Sequence, residues 1–351
     1  MTNKVKISID LMGGENSPKK SLQGIDLFIK RNRNYDDYFF YLFGDKNIVD
    51  SELKKLKYLK NNYELIDTKI VVSDELPALS AIKKGKDSSM WKTIESQINL
   101  DSNVSLSAGN TGVLLVMSKM ILKTLDGVDK PALAGLWPNK KNMNVVLDLG
   151  ANIECGEKNL VDFSEMGSAL YQSLYPQEKP KVALLNIGSE EIKGTDLLKN
   201  TYSKLKMLDS FGDFEFSGYI EGNQITEGKS NVIVTDGFTG NIALKTAEGT
   251  ANFLTENLKK ALTSSFISKF STIFSYFALK EFKTKLDPRK YNGAIFLGLN
   301  GPVVKSHGST DELGFSYSIE VCYKIAKGDM MKKIKYNLNH IKKLNDEKRE
   351  H

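Results

Sequence analysis

Two segments of the chain are near copies of one device, and that device constrains the fold more than any other feature. They are Asn103-Val-Ser-Leu-Ser-Ala-Gly-Asn-Thr-Gly112 and Asn231-Val-Ile-Val-Thr-Asp-Gly-Phe-Thr-Gly-Asn241. In each, a short run rich in β-formers stops at a turn of Gly, Asn, Thr or Asp, and a helix-forming stretch follows at once. Glycine at such a junction lets the backbone approach a ligand, the first helical N–H groups lack partners, and the peptide dipoles favour negative charge. Any α/β protein needs polar turns of this kind; the same turn met twice points to a phosphate site.

Other short apolar runs extend the pattern. Strands are expected at 5–10, 38–43, 70–72, 145–148, 182–185, 232–234 and 294–297, mostly separated by helical lengths, the first of them at about 18–30. Parallel strands need crossovers, and the crossovers cover the sheet, so the expected architecture is a three-layer α/β/α, doubly wound, mostly parallel sheet. Ligands in such sheets bind beyond the carboxyl ends of the strands. The turns there are rich in Asp, Asn, Thr and Gly: Asp10, Gly13 and Gly14; Asn110 and Thr111; Asp148, Gly150 and Asn152; Asn186 and Gly188; Asp236, Thr239 and Asn241; Asn300 and Gly301. They are expected to gather along one edge as a cradle for a polar, anionic substrate.

Composition narrows the class. With 351 residues, 40% hydrophobic and 26% charged, the chain suits one large α/β catalytic domain over 1–330 and a charged C-terminal helix or tail over 331–351. Its two cysteines, Cys155 and Cys322, are far apart in sequence, which argues against a disulfide framework or zinc site and for a reducing, cytoplasmic setting. The formal charge is +6, yet the lysines are scattered and no nucleic-acid motif appears, so nucleic acid is not an expected partner. No apolar signal core or bilayer-length run is present, which suggests a cytosolic or peripheral protein. One stretch breaks the α/β rhythm: from Asn252 to Lys285 the pattern is helical throughout, with Leu262, Phe266, Phe270, Phe274 and Phe277 on one face and lysines beside them. A projecting helical insertion of this composition suits a core or subunit interface, or a helix lying in a bilayer surface.

The order Asp10-Leu-Met-Gly-Gly14, Lys86-Asp-Ser-Ser-Met90, Ser107-Ala-Gly-Asn-Thr-Gly112, Asp148-Leu-Gly-Ala-Asn152, Asn186-Ile-Gly188, Glu221-Gly222, Asp236-Gly-Phe-Thr-Gly-Asn241, Leu299-Asn-Gly-Pro302 and His307-Gly-Ser309 resembles the bacterial phosphate acyltransferase (PlsX) family, from the first strand to about residue 328. Lys193-Gly194 also sits where that family has its lysine-glycine. The resemblance implies transfer of a fatty acyl group from acyl-acyl carrier protein to inorganic phosphate, giving acyl phosphate for phosphatidic acid and phospholipid synthesis. It further implies a fold related to the phosphotransacetylases and isocitrate dehydrogenases, a homodimer, and peripheral membrane contact through about 266–282. Asp87 before the two serines and the Asn/Lys-rich tail beyond residue 330 depart from the family's usual form.

In that chemistry a phosphate oxygen attacks a thioester and a thiolate leaves, so the enzyme has to position phosphate and stabilise an oxyanion rather than supply a strong base. Neither cysteine falls in a nucleophile motif, and the scheme needs no metal or cofactor. His307 is the one histidine in a Gly-rich segment, since His340 and His351 lie in the tail. It is the candidate to orient phosphate or protonate the departing sulfur, with Lys193 and Asn241 as further catalytic candidates. Asp10, Gly13, Gly14, Ser107, Gly109, Asn110, Thr111, Gly112, Asn152, Asp236, Thr239, Gly240, Lys245, Asn300 and Ser309 are the candidate substrate- and phosphate-binding residues. Two other activities fit related folds. A phosphotransacylase acting on acyl-coenzyme A would share much of the mechanism, and a decarboxylating dehydrogenase would need a nicotinamide fingerprint that the first βαβ unit lacks.

Overall fold

The computed structural model describes residues 4–33, 37–72, 83–209, 214–285 and 287–347. Its first part runs β1 (Val5–Asp10), α1 (Lys19–Arg31), β2 (Tyr38–Gly44), α2 (Lys46–Leu53), β3 (Tyr63–Asp67), α3 (Ser89–Asn99), β4 (Val104–Ser107) and α4 (Thr111–Leu122). The hairpin of β5 (Ala132–Pro138) and β6 (Met143–Leu147) leads to α5 (Glu157–Leu174), β7 (Lys181–Leu185), α6 (Asp196–Asp209), β8 (Glu215–Ile220) and β9 (Val232–Val234). Then come α7 (Gly237–Thr263), α8 (Phe266–Phe274), α9 (Tyr276–Lys285), β10 (Ala294–Leu297), β11 (Val303–Lys305), α10 (Glu312–Lys327) and α11 (Met330–Glu347).

Strand periodicity explains the layers, because successive side chains point to opposite faces. Val145 and Leu147 of β6 join the large core cluster that also holds Leu160, Phe163 and Met166 of α5, whereas Val146 joins Ala183, Ile220 and Ile233 on the other face. In the other half of the sheet, Met90 and Ile94 of α3 and Val113 and Met117 of α4 pack with Phe296 and Val303. Apolar side chains thus pack on both faces, and the expected α/β class with a mostly parallel sheet holds.

All eleven strands form one sheet, in the order β3-β2-β1-β4-β11-β10-β5-β6-β9-β7-β8. Two parallel blocks, β3 to β11 and β6 to β8, are joined through antiparallel pairings of β11 with β10, β10 with β5 and β5 with β6. Three reversals in succession make the blocks run in opposite directions. This corrects the expectation of a single edge: the turns after β1, β4 and β11 and the turns after β6, β7, β9 and β10 leave opposite edges of the ladder. Twist reduces the separation. Six pairings separate β1 from β9, and at roughly 20–25° each they turn the second block by roughly 120–150°, so a reversed strand again aims its carboxyl end toward the side used by the first block.

Two other expectations change. Ile70 and Val71 are exposed and lie outside the sheet, and the third strand is Tyr63–Asp67, paired in parallel with Phe40–Gly44. The helical stretch is not continuous: breaks at Ser264–Ser265 and at Ser275 divide it into α7, α8 and α9. Within α7 only Gly237 and Gly240 are fully buried, and from Glu248 onward nearly every side chain faces solvent, so the helix leaves the body as a projecting arm. The C-terminal helix α11 docks on the body: Met330 and Ile334 are buried, and Asn337 Nδ2 donates to the Glu165 carbonyl of α5 at 3.2 Å.

Candidate active site

At the end of β1 the chain turns sharply, and what holds the turn is a buried carboxylate. Asp10 is 1% exposed and accepts hydrogen bonds from Ser107 Oγ at 2.7 Å and from the Met12 amide at 3.1 Å. Burial pushes its pKa above the ordinary carboxylate value, opposed by bonds from Ser107, Ser89 and the Met12 and Gly13 amides. Ser107 Oγ in turn accepts the Gly109 amide at 3.1 Å, so one carboxylate couples the turns after β1 and β4. The approach is too close for side chains. A Cβ on Gly13 would lie 2.6 Å from the Gly109 nitrogen and 2.7 Å from Asp10 Oδ2.

Lysines bring in the third turn. Lys20 is only 4% exposed and donates to the Gly308 carbonyl at 2.7 Å. Lys305, at the end of β11, donates to the carbonyls of Ala108, at 3.2 Å, and Ser306. Gly14 has φ +78° and sits where a Cβ would come within 3.0 Å of the Ala108 carbonyl and the Lys20 amine and 2.8 Å of the Gly308 carbonyl. The loops at 13–14, 108–109 and 306–309 are therefore knotted by two ammonium groups.

His307 rides on this knot. Its amide donates to Asn292 Oδ1 at 2.9 Å, and Asn292 Nδ2 donates to Ser306 Oγ at 2.9 Å. Nδ1 lies 3.0 Å from Ser309 Oγ and accepts a long 3.4 Å contact from the Ser309 amide. That network assigns the proton of the neutral ring to Nε2. Although solvent reaches the ring, crowding by protein atoms is the main cause that pulls its pKa below the ordinary value; Lys305 and Lys245 act in the same direction, and Glu248 and Glu15 oppose them. Lys245 and Glu248, themselves paired at 2.8 Å, belong to α7, so the arm that starts at the second block's edge passes within electrostatic reach of the first block's histidine.

The twin turns differ in detail. Asn110 caps α4, its Oδ1 accepting the Val113 amide at 3.1 Å, while Thr111 and Gly112 are exposed at the helix start. Their N–H groups precede any intrahelical acceptor. At the start of α7, Asp236 accepts both the amide and the hydroxyl of Thr239 at 2.8 Å, so that helix end already carries its own negative charge. Beside it Asp148 is fully buried and satisfied: Oδ1 accepts the amides of Leu133, Gly150 and Ala151, and Oδ2 accepts the amide and Nδ2 of Asn152, both at 2.8 Å. A Cβ on Gly240 would stand 1.9 Å from the Asp148 carbonyl, which presses the first turn of α7 against the end of β6. Asn241 faces Gly150 across this contact and is exposed.

Among the sequence-derived candidates, then, Asp10, Gly13, Gly14, Ser107, Gly109, Asn110, Thr111, Gly112, His307 and Ser309 come together around the first block's turns. Asn152, Asp236, Thr239, Gly240 and Asn241 come together at the second block, and Lys245 links the two. Lys193 lies exposed in the loop after β7, its carbonyl held by Asn186 Nδ2 at 3.1 Å. Asn300 follows β10 and binds the Thr124 carbonyl at 2.9 Å. Sequence reasoning missed Lys20, Asn292 and Lys305, and it quoted Ser89 within the Lys86–Met90 motif without giving it a role. Lys20 had a signal, since its spacing to Gly24 and Phe28 puts it on the buried face of α1. Among the described residues no group of three or more His, Cys, Asp and Glu side chains is placed to hold a metal ion. Burial first, and Asp148 second, push the Cys155 thiol up to about 11, and burial also raises Cys322, so both are neutral thiols.

Comparison with known proteins matches the chain to a family. Residues 5–333 fit the profile of the family described as "Fatty acid synthesis protein". The chain is 54% identical over 338 residues to the phosphate acyltransferase of Pelagibacter ubique, covering 96% of this chain and all of that one. It is 40% identical over 340 residues to that of Afipia carboxidovorans, covering 97% and 95%. Its fold is shared with the EutD phosphotransacetylase of Staphylococcus aureus, at a TM-score of 0.57 and 15% identity over 93% of this chain and 94% of that one. On the match from β1 into α11 and on these identities, the chain belongs to the fatty acid synthesis protein family.

Proposed function

We propose that the protein is a phosphate acyltransferase that moves a fatty acyl group from acyl-acyl carrier protein to inorganic phosphate, releasing acyl phosphate for phosphatidic acid and phospholipid synthesis. The observation that carries this reading is the knot of Asp10, Ser107, Lys20 and Lys305 that holds the neutral His307 beside the start of α4. Phosphate binds at the Asn110 turn, on the Thr111 and Gly112 amides, with Lys245 facing it from α7. One of its oxygens forms the new bond to the thioester carbon, negative charge collects on the carbonyl oxygen, and the C–S bond breaks with its electron pair on sulfur. His307 Nε2–H donates to phosphate and fixes its attack angle, which suits a ring whose pKa is lowered better than proton delivery to sulfur does. Neither thiol is positioned as a thiolate nucleophile, which supports direct attack by phosphate.

The arm supports a second part of the proposal. Phe253, Phe266, Phe270, Phe274, Phe277 and Phe282 are 50–93% exposed, too much apolar surface to leave in water. We assign it to the seam of a homodimer and, at the α8–α9 end, to peripheral contact with a membrane. No helix among the described residues is long and apolar enough to cross one. The activity is tested by following thiol release from acyl-acyl carrier protein with and without phosphate, without NAD or added metal. Release that depends on phosphate supports the reading. A much higher kcat/KM with acyl-coenzyme A would replace it with a phosphotransacylase, an activity for which the shared EutD fold is the argument.

A further inference from the structure

Beyond the site, the same edge of the sheet carries a groove rich in lysine and tyrosine. One cavity of about 230 Å³ is lined by Tyr175, Tyr291 and Tyr317 with Lys290 and Lys324; an adjoining one of about 300 Å³ shares Asn142 and Met143 with it and adds Lys141, Lys179, Lys181 and Lys229. Lys324 is paired with Glu320 at 2.9 Å and Lys181 with Glu215 at 3.0 Å, and the Glu178 carboxylate is taken by the Tyr171 hydroxyl. Among the described residues, Lys141, Lys179, Lys229 and Lys290 form no close ion pair, although Glu227 lies within electrostatic reach of Lys229 and Asp287 of Lys290, and lysines outnumber carboxylates along the groove.

We propose that this groove docks the acidic surface of the acyl carrier protein, an inference that rests on the proposed acyl transfer and names where its protein substrate sits. Continuity with the site is the first argument. Tyr291 precedes Asn292, the residue that holds the His307 amide at 2.9 Å, so one end of the groove is built on the histidine's own support. The topology is the second. The end of β11, the start of β10, the end of β5 and the start of β6 follow one another along the ladder, so the strand that begins at Met143 lies three strand spacings, about 14 Å along the ladder before twist is added, from the strand that ends at the His307 loop. A carrier seated there needs only a flexible arm of that order to bring its thioester to phosphate. Charge is the third, because unpaired lysines around tyrosine faces match acidic side chains at a polar rim. Such a rim governs encounter with the carrier and leaves the chemical step alone.

The test uses the triple variant Lys141→Glu, Lys179→Glu and Lys229→Glu, assayed with acyl-acyl carrier protein and with acyl-pantetheine, which has the same reacting bond but no protein. KM for the carrier substrate should rise by on the order of tenfold or more with kcat little changed, and the acyl-pantetheine constants should not move. Equal loss on both substrates, or no loss on either, overturns the docking site. Ionic strength gives a check on the wild type that needs no variant to fold: added salt should raise KM for the carrier substrate alone, and a salt-independent KM overturns the proposal. A wild type that makes no acyl phosphate from either thioester overturns the proposed activity itself. An active wild type with a silent triple variant overturns only the groove.

Discussion

The protonation state of His307 decides what its ring can do. Crowding and the charge of Lys305 hold its pKa below the ordinary value, so the neutral form persists to lower pH than in a free histidine. Activity that needs the neutral ring is present above that pKa and falls as pH drops through it. In Lys305→Met a repelling charge is gone and the proton binds more readily, so the acid limb of kcat/KM should move to higher pH relative to wild type. Comparing the two profiles at matched phosphate removes the titration of phosphate itself, and superimposable limbs would exclude the electrostatic role. His307→Gln should lower kcat/KM for phosphate by about 100- to 1000-fold, as for one preorganised donor, and an unchanged value would remove His307 from the site. These side chains were unequally legible in the sequence. His307 stood out as the one histidine in a Gly-rich segment; Lys305 and Asn292 did not, because their importance comes from backbone groups brought to them by other strands.

At the scale of elements, the two strand-turn-helix units share a pattern and differ in chemistry. Asn110 leaves its helix end neutral, whereas Asp236 fills its own with a carboxylate bound by Thr239. Asn110→Ala should therefore lower kcat/KM for phosphate by about ten- to a thousandfold, with a modest fall in melting temperature from the lost cap, since such caps contribute about 1 kcal/mol. Gly240→Ala should act on stability instead. Its Cβ would meet the Asp148 backbone at 1.9 Å, and forcing the turn apart costs about 1–3 kcal/mol; a variant as stable as wild type in thermal unfolding would refute that contact. The arm is tested by replacing Phe270 and Phe274 with Ser, each ring having about 1.5–3 kcal/mol to gain from burial. If the tip enters lipid, the variant stays dimeric and leaves anionic liposomes; dissociation in sedimentation would place those rings in the subunit seam, and a dimer still bound to liposomes would exclude both. The sequence revealed the aromatic stripe but not the breaks at Ser264–Ser265 and Ser275, because helical periodicity continues across them.

For the whole molecule, the class of fold was readable from apolar runs alternating with helical lengths, and the family from nine short motifs in order. The direction of each strand was not. Val303–Lys305 is too short to register as a strand, and Ala132–Pro138 is rich in Ala and Gly rather than β-branched residues, so the antiparallel centre that reverses the second block left little trace. Without that reversal the polar turns would share one edge, whereas they form two clusters bridged by α7. The central claim is that phosphate attacks the thioester directly at this bridged site. It is tested most directly by rapid-quench measurement of thiol release and acyl phosphate formation from acyl-acyl carrier protein, with enzyme at substrate concentration. Direct attack predicts no thiol without phosphate and, with it, thiol and acyl phosphate appearing together one for one. A burst of thiol before phosphate is added, leaving the acyl group on the protein, would contradict it.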